Sequence, residues 1–290
     1  MQGLRLKVAI ERLLARLFNA ANPPWLLKGG YSMELRFRPK ARTTRDVDLT
    51  VGEPTLAPFM GDLLVTSKSV EMVTSIVTNG ERLARLVETH GSYLDWVGLS
   101  VDSASEATEI ALGRGRGGHV ARSLELFALL RDRGIQTKLN TTVTRLSVDE
   151  DMSGFVLAAR PQRWKVFQVL PVEGQNDGGV DDLLITTQQF EAFVQRHLHL
   201  RDKGIHLAVE ANEDMTGSYA MIDPLGRFFS NVEGRYLYSQ PILEVGVSAA
   251  FEQVQFSQQR FLQRGGQYDW TPAVVTVSAK NIKSDSRGCL

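Results

Sequence analysis

Short apolar runs alternate with longer amphipathic segments through the middle of the chain. The runs are predicted as β-strands and lie at 72–79, 95–102, 137–144 and 163–171. The segments between and after them have the apolar spacing of helices and lie at 80–90, 118–134, 149–159 and 186–204. Repeated strand–helix units of this length predict an α/β fold with a parallel sheet or barrel, whose functional groups lie at the carboxyl ends of the strands.

The two ends of the chain follow different patterns. Residues 4–18 have helical spacing, and the predicted helix stops before the proline pair at 23–24 because proline cannot continue a helix. Residues 46–51, DVDLTV, predict a strand. Residues 219–229, YAMIDPLGRFF, predict a hairpin that turns on Pro-Leu-Gly. We expect residues 271–290 to form a mobile tail.

Composition narrows the functional classes. The 290 residues have a formal net charge of zero, which argues against bulk nucleic-acid binding but allows a local phosphate pocket. The single cysteine, Cys289, excludes a disulfide framework and any site that needs several cysteines of this chain. No apolar run is long enough to span a membrane, and the N-terminus lacks a signal-peptide core. We therefore expect a cytoplasmic protein that does not bind membranes.

Two predicted strands carry cations at alternate positions. Lys138 and Asn140 share one face of their strand, as do Arg163 and Lys165, and the glycine-rich stretch GRGRGG adds Arg114 before a helix. A buried, unpaired cation is costly, so cations that face inward should meet an anion such as a triphosphate. Cations that face outward would simply solvate the strand ends, and the glycine-rich stretch would be a flexible turn. The residue pattern leaves both interpretations open.

A dense series of motifs resembles one family. The motifs are GEPTL, TSIVTNG, DWVGLSVDS, LGRGRG, TKLNTTVT, VDEDM, RWKVFQVLPVEGQN, MTGSYAMIDPLGRF, ILEVGV and RGGQYDW. Residues 52–270 thereby resemble the viperin-like family, most closely its prokaryotic members. The resemblance implies a partial (β/α)₆ radical-SAM barrel that is incomplete at its N-terminal strands. It also implies a nucleotide dehydratase that converts a nucleoside triphosphate such as CTP to a 3′-deoxy-3′,4′-didehydro analogue in antiviral defence.

The same resemblance implies roles for single residues. S-adenosylmethionine (SAM) would be held by Gly52, Glu53, Pro54, Thr78, Asn79 and Ser100, the first three of them at its methionine amino group. The substrate, chiefly its triphosphate, would be bound by Arg114, Lys138, Asn140, Arg163 and Lys165. Tyr219 would lie near the ribose carbon that loses hydrogen and is the candidate catalytic residue.

One part of the family pattern is absent. The family's C-x₃-C-x₂-C loop, which holds a [4Fe–4S] cluster upstream of its GGEP motif, has no counterpart, because residues 1–51 contain no cysteine and Val51 replaces the first glycine. Thiolates are the ordinary ligands of such clusters. We therefore expect a catalytically inactive dehydratase that still binds SAM or nucleotide. The alternative is an active enzyme whose cluster ligands come from elsewhere.

Residues 9–50 resemble a different family, the AbiEii-type nucleotidyltransferases, in which a Gly-Gly turn precedes an Asp-x-Asp strand. That resemblance implies two-metal nucleotidyl transfer with Asp46 and Asp48 as ligands. No third carboxylate is identifiable, and a solvated strand edge is the simpler interpretation of the two aspartates. A nucleotidyltransferase toxin and a non-functional chimeric gene product remain as alternatives.

The predicted organisation has three parts: a nucleotidyltransferase-like fragment at 1–50, a barrel portion at 51–270 and a tail at 271–290. The family needs its first strand–helix unit, and this unit has been replaced. A barrel that lacks its opening strand exposes a parallel edge and apolar surface. We therefore predict a barrel of lowered stability, unless the segment WLLKGG takes the place of the missing strand.

Overall fold

The computed structural model describes residues 26–28, 48–50, 53–69, 72–223 and 225–265. For 26–28 and 48–50 only the backbone pairing is described. Four sequence predictions lie outside the described residues: the helix at 4–18, the roles of Asp46 and Gly52, and the tail at 271–290.

The described strands form two sheets of five strands each. In chain order they are β1 (Leu26–Lys28), β2 (Asp48–Thr50), β3 (Ser75–Thr78), β4 (Trp96–Ser100), β5 (Gln136–Val143), β6 (Arg163–Gln168), β7 (His206–Glu210), β8 (Met221–Ile222), β9 (Arg227–Ser230) and β10 (Leu237–Pro241). One sheet has the order β3-β4-β5-β6-β7 and is parallel throughout. The fold is therefore an α/β fold with a parallel sheet, as predicted.

Helices connect the parallel strands and continue after them. In chain order they are α1 (Met60–Ser69), α2 (Leu83–His90), α3 (Glu106–Ala111), α4 (His119–Asp132), α5 (Ser153–Ala159), α6 (Thr187–His197), α7 (Asn212–Met215), α8 (Ile242–Val245), α9 (Val247–Glu252) and α10 (Gln258–Gln263). Thr186 caps α6 in a capping box with Gln189, which confirms the predicted start of this helix.

The predicted strands and helices of the repeated units are all present, and most are shorter than predicted. The largest difference is at α6, which ends at His197 and not at 204. In addition, α5 begins at Ser153 and not at the acidic residues before it. Met152 stands at its N-cap without a side-chain cap, and Asp151 Oδ1 accepts the backbone N–H of Ser153 at 2.8 Å from outside the helix.

One face of the parallel sheet forms the main hydrophobic core. Leu99, Leu139 and Trp164 are fully buried there against helix residues such as Phe127 and Phe193. The Trp164 indole Nε1–H also donates to Thr141 Oγ1 at 2.9 Å. Because side chains alternate along a strand, the residues on either side of Leu99, Leu139 and Trp164 in their strands point away from the helices. These neighbouring residues form the candidate site.

The second sheet has the order β10-β9-β8-β1-β2, and its strand pairs are antiparallel. β8 and β9 form the predicted hairpin. The strand from WLLKGG joins this sheet, because Leu27 pairs with Leu49 on one side and Ile222 on the other. Within the described residues it does not extend the parallel sheet beside β3, so lowered barrel stability stays a prediction.

Candidate functional site

Four of the five predicted substrate residues, Lys138, Asn140, Arg163 and Lys165, lie in two rows across the face of the parallel sheet opposite the hydrophobic core. Ser100, Asn140 and Lys165 are register partners on β4, β5 and β6. One row nearer the amino ends, Lys138 is the register partner of Arg163. Lys138 is 9% exposed, so these cations do not merely solvate the outside of the strands. The sheet thus presents polar groups at matching heights on neighbouring strands.

Lys165 belongs to a buried network at the end of β7. Its Nζ lies 2.6 Å from Glu210 Oε1 and 3.4 Å from the Tyr219 hydroxyl. The Tyr219 hydroxyl donates to Glu210 Oε2 at 2.6 Å, and Arg264 Nη1 lies 3.1 Å from Glu210 Oε1. Burial acts to raise the pKa of Glu210, but the Lys165 and Arg264 charges outweigh it and hold the pKa below its usual range. The carboxylate is therefore ionised at neutral pH.

Tyr219 is held in its protonated form by the same network. Burial chiefly raises the pKa of Tyr219 to about 12, and Lys165 opposes that rise. The Arg264 guanidinium stacks on the Tyr219 ring, with 3.9 Å between its Cζ and the ring centroid. The phenol thus donates its single O–H to Glu210, and its ring is held in position between Glu210 and Arg264.

Arg114 lies beyond the carboxyl ends of β4 and β5. Its Nε donates to Asp102 Oδ2 at 2.6 Å, while Asp102 Oδ1 accepts the Thr142 backbone N–H at 2.7 Å. Asp102 thereby fixes the guanidinium to the strand end, and the Arg114 side chain remains 27% exposed. Lys138 lies four positions before Thr142 on β5, about 13 Å at the usual strand rise. The predicted cations therefore form an elongated series, not one compact cluster.

A fully buried carboxylate, Glu109, supports the Arg114 end of the site. Its Oε1 accepts the backbone N–H groups of Asp102 and Ser103 at 2.7 and 2.6 Å. Burial and then the Asp102 charge raise the pKa of Glu109 to about 7. His119 Nε2 lies 3.0 Å from the Ser100 carbonyl oxygen, and burial lowers the pKa of His119, so the neutral ring donates this bond.

Glu53 ties the predicted SAM residues together. Its Oε1 accepts the Thr55 N–H at 2.9 Å and the Thr78 hydroxyl at 2.5 Å, and its Oε2 accepts the Asn79 N–H at 2.9 Å. Burial acts to raise the pKa of Glu53, but the hydrogen bonds from Thr55, Thr78 and Asn79 together lower it. Glu53 therefore remains ionised and fixes the start of the 3₁₀ turn Pro54–Leu56 to the end of β3.

The described part of the structure does not place the side chains of three predicted residues. Asp48 is in β2, where its backbone pairs with Lys28, and its side chain is not described. Asp46 and Gly52 lie outside the described residues. The nucleotidyltransferase interpretation of Asp46 and Asp48 therefore stays a prediction.

Four residues of the site were not predicted: Asp102, Glu109, Glu210 and Arg264. Glu210 has a recognisable signal, because His206, Ala208 and Glu210 alternate on one face of HLAVE and end in a carboxylate. Arg264 lies in the motif RGGQYDW but is 54 positions from its partner Glu210, so only the tertiary fold brings the two together.

The α/β fold with its five-stranded parallel sheet is similar to that of radical-SAM enzymes, and residues 33–157 match the Radical SAM superfamily. The matched range begins inside the predicted fragment 1–50. The S-adenosylmethionine-dependent nucleotide dehydratase of Flammeovirga pacifica is 45% identical over 224 residues, which cover 76% of each chain. That of Thermoplasmatales archaeon (strain ISO4-H5) is 36% identical over 228 residues, 77% of this chain and 79% of that protein. The chain belongs to this nucleotide dehydratase family.

Among solved structures, that of Streptococcus suis SuiB bound to S-adenosylmethionine has a TM-score of 0.46 at 16% identity. The similarity covers 61% of this chain and 47% of SuiB. No helix within the described ranges is both long and apolar enough to cross a membrane.

The donor set does not fit the iron–sulfur cluster that the radical-SAM class implies. Such a cluster needs several cysteine thiolates, and the sequence contains one cysteine, Cys289, which lies outside the described residues. In the part of the chain that the structure describes, no group of three or more His, Cys, Asp or Glu side chains is arranged to hold a metal ion. This member of the family therefore departs from the class at the cluster site.

Proposed function

We propose that this chain binds a nucleoside triphosphate of the CTP kind along the cationic face of its parallel sheet, and SAM at the neighbouring strand ends. We propose further that it does not carry out the radical dehydration by itself. The observation that carries the proposal is the in-register series Lys138, Asn140, Arg163 and Lys165 on the face of the sheet opposite the main hydrophobic core.

The charges of this face favour a polyanionic ligand. Lys138 and Arg163 are register partners on neighbouring strands, so two cationic side chains leave the sheet at the same height. A phosphate group between them would accept a charge-assisted hydrogen bond from each. Asn140 adds an amide donor in the next row, and Lys165 an ammonium group. The elongated spacing towards Arg114 suits a chain of phosphates better than a single anion.

The strand ends favour the cationic amino group of SAM. Glu53 is ionised, and its position is fixed by Thr55, Thr78 and Asn79. Within the described residues, Glu53 Oε1 accepts three hydrogen bonds, from the Thr55 N–H and from the Thr55 and Thr78 hydroxyls, whereas Oε2 accepts only the Asn79 N–H. The second acceptor position of Oε2 can therefore take an ammonium group. Pro54 and Ser100, with Gly52, are proposed to complete the SAM site.

The proposed loss of activity rests on the cysteine content. The family's reaction begins with electron transfer from a cluster held by three thiolates, and one cysteine cannot supply them. An antiviral role through a chain-terminating nucleotide would require turnover. We therefore propose binding or sequestration of the ligands as the function of this chain taken alone.

Calorimetric titration of CTP and other triphosphates tests the pocket. Lys138→Ala and Lys165→Ala should each weaken binding by roughly tenfold or more, because each removes a charge-assisted phosphate contact worth about 1.5–3 kcal/mol. Lys203→Ala, at an exposed position after α6, is the matched control and should leave the affinity unchanged. Equal weak binding by the parent and all three variants would remove the triphosphate assignment.

Anaerobic reconstitution with iron and sulfide tests the loss of activity. We expect no stoichiometric cluster absorbance in the visible spectrum and no 5′-deoxyadenosine from SAM under reducing conditions. The Cys289→Ser variant controls for iron bound loosely by the single thiol. A stoichiometric cluster in the parent chain would refute the inactive interpretation.

A further inference from the structure

Glu210 stands at the centre of the buried network and has no role in the sequence-based assignment. It is the last residue of β7 and is fully buried. Its carboxylate contacts Lys165 Nζ at 2.6 Å, the Tyr219 hydroxyl at 2.6 Å and Arg264 Nη1 at 3.1 Å. One carboxylate thus joins a predicted phosphate-binding cation, the predicted catalytic phenol and an arginine that follows α10.

Glu210 is shared by two cations of the network. It is ionised and Tyr219 is neutral, and both Lys165 and Arg264 contact its Oε1. A buried carboxylate that loses its only cation is left uncompensated, whereas one that has two cations can lose one of them and stay paired. Glu210 can therefore release one of its two cations and remain paired with the other.

The two cations differ in how firmly they are held. Arg264 is 4% exposed, stacks on the Tyr219 ring and donates through Nη2 to the Ser218 carbonyl oxygen at 3.3 Å. Lys165 is 14% exposed and extends from the face that carries Arg163 and Asn140. Its ammonium is a point charge on a flexible stem and can change partners without a change of backbone. Lys165 is thus the cation available for exchange.

We propose that Glu210 is an internal counter-ion of the nucleotide site: it competes with a ligand phosphate for Lys165, yields Lys165 when the triphosphate binds, and stays paired with Arg264 and Tyr219. The exchange replaces one Lys165–carboxylate contact with one Lys165–phosphate contact. Arg264 keeps Glu210 neutralised afterwards, so the Tyr219 hydroxyl retains its acceptor and its direction. This inference rests on the proposed function, because it requires a triphosphate at Lys165.

Substitutions at the two ends of the Glu210–Arg264 pair should have opposite effects on CTP affinity. Glu210→Gln removes the competitor for Lys165, so the CTP dissociation constant should fall by roughly threefold to tenfold. Arg264→Gln leaves Lys165 as the main partner of Glu210, so the dissociation constant should rise by a similar factor. Arg264→Lys keeps the charge and should bind like the parent chain.

Structural damage would give a different pattern in this calorimetric comparison. If Glu210 and Arg264 only support the fold around the site, CTP binding should weaken in both Glu210→Gln and Arg264→Gln. That result overturns the counter-ion role. Should Glu210→Gln fail to fold, the pair Arg264→Gln and Arg264→Lys decides the question. Equal CTP affinity in these two variants overturns the proposal. Cytidine, which has no phosphates, should show none of these differences.

A titration of the tyrosines separates this inference from the proposed function, because it needs no nucleotide. Glu210 is one of the groups that raise the pKa of Tyr219, while Lys165 and Arg264 lower it. Glu210→Gln should therefore move the pKa of Tyr219 from about 12 towards its ordinary value of 10.0. Ultraviolet absorbance of tyrosinate follows the change, and Tyr219→Phe identifies the signal.

The two experiments fail in distinguishable ways. If the parent chain binds no triphosphate, the proposed function is refuted, and the exchange of Lys165 with it, while a shifted Tyr219 pKa still supports the contact with Glu210. If the parent binds CTP but the Tyr219 pKa is unchanged in Glu210→Gln, the positioning of Tyr219 by Glu210 is refuted and the triphosphate site remains.

Discussion

The two faces of the parallel sheet are built from the same strands but have opposite character. On β6, Trp164 is fully buried in the helix-covered core, whereas its neighbours Arg163 and Lys165 lie on the opposite face with Lys138. The strand geometry alone separates them, because successive side chains point to opposite faces. Adjacent positions should therefore control different properties, with stability on one face and ligand binding on the other.

The largest expected effect is on the helix-covered face. Trp164→Ala should lower the free energy of unfolding by about 3–5 kcal/mol, since it leaves a cavity among fully buried neighbours. Trp164→Phe keeps most of the ring and loses the hydrogen bond to Thr141, so its cost should be nearer ~1 kcal/mol. Urea unfolding measures both changes. A loss of triphosphate affinity in folded Trp164→Phe would break the separation of the two faces.

The next effect concerns Glu109, which lies just beyond the carboxyl end of β4. Burial and the Asp102 charge raise its pKa from 4.5 to about 7, so the folded state keeps a proton that the unfolded state has released. The free energy of unfolding should therefore fall as pH rises from about 4.5 to about 7, by about 3 kcal/mol, and then level off. Urea unfolding across this pH range measures the loss.

The Glu109→Gln variant is the control for this pH dependence, because a neutral amide cannot titrate. The difference in stability between parent and variant should change only within the same pH window. A difference that is constant from acid to neutral pH would show that Glu109 has an ordinary pKa and that the end of the site is open to water.

A smaller effect is expected where β3 meets the proposed SAM residues. The Thr78 hydroxyl donates to Glu53 at 2.5 Å and accepts the Gly80 N–H at 2.9 Å. Thr78→Val keeps the shape but removes both bonds, so it should cost about 1–2 kcal/mol and raise the pKa of Glu53. Thr78→Val should also weaken SAM binding measured by calorimetry, and Thr78→Ser, which keeps the hydroxyl, should restore it. Failure of this rescue would argue against a role for the Glu53–Thr78 contact.

The sequence predicted the regular part of this fold well for a physical reason. Each strand–helix unit carries its own periodicity, so the strands from Ser75 to Gln168 follow from local patterns. β7 was not predicted, although the alternation in HLAVE is present. The ends of elements moved by a few residues, as at Ser153, because the ends of a helix are less sharply defined by the sequence than its middle.

The candidate site was predicted only in part, and the limit of the prediction again has a physical cause. Lys138 and Arg163 could be placed on one face because strand alternation is local and the pairing of consecutive strands is common. The meeting of Glu210 with Arg264 depends on how the segment after β10 folds back, which no local pattern encodes. Asp102 was also missed, because its contact with Arg114 depends on the course of a loop.

The smallest expected effect is a gain in stability, and it tests the difference between the two faces of the sheet most directly. Lys138 is 9% exposed and is the register partner of Arg163, so its charge lies in a largely buried position opposite a second positive charge. Lys138→Met keeps the aliphatic stem but removes one charge, and we expect the free energy of unfolding to rise by about 0.5–1 kcal/mol while CTP affinity falls. Thermal unfolding and calorimetry on the same sample measure both. A variant that loses stability and affinity together would mean that Lys138 supports the fold, whereas a gain in stability with a loss of affinity identifies it as a residue retained for its ligand.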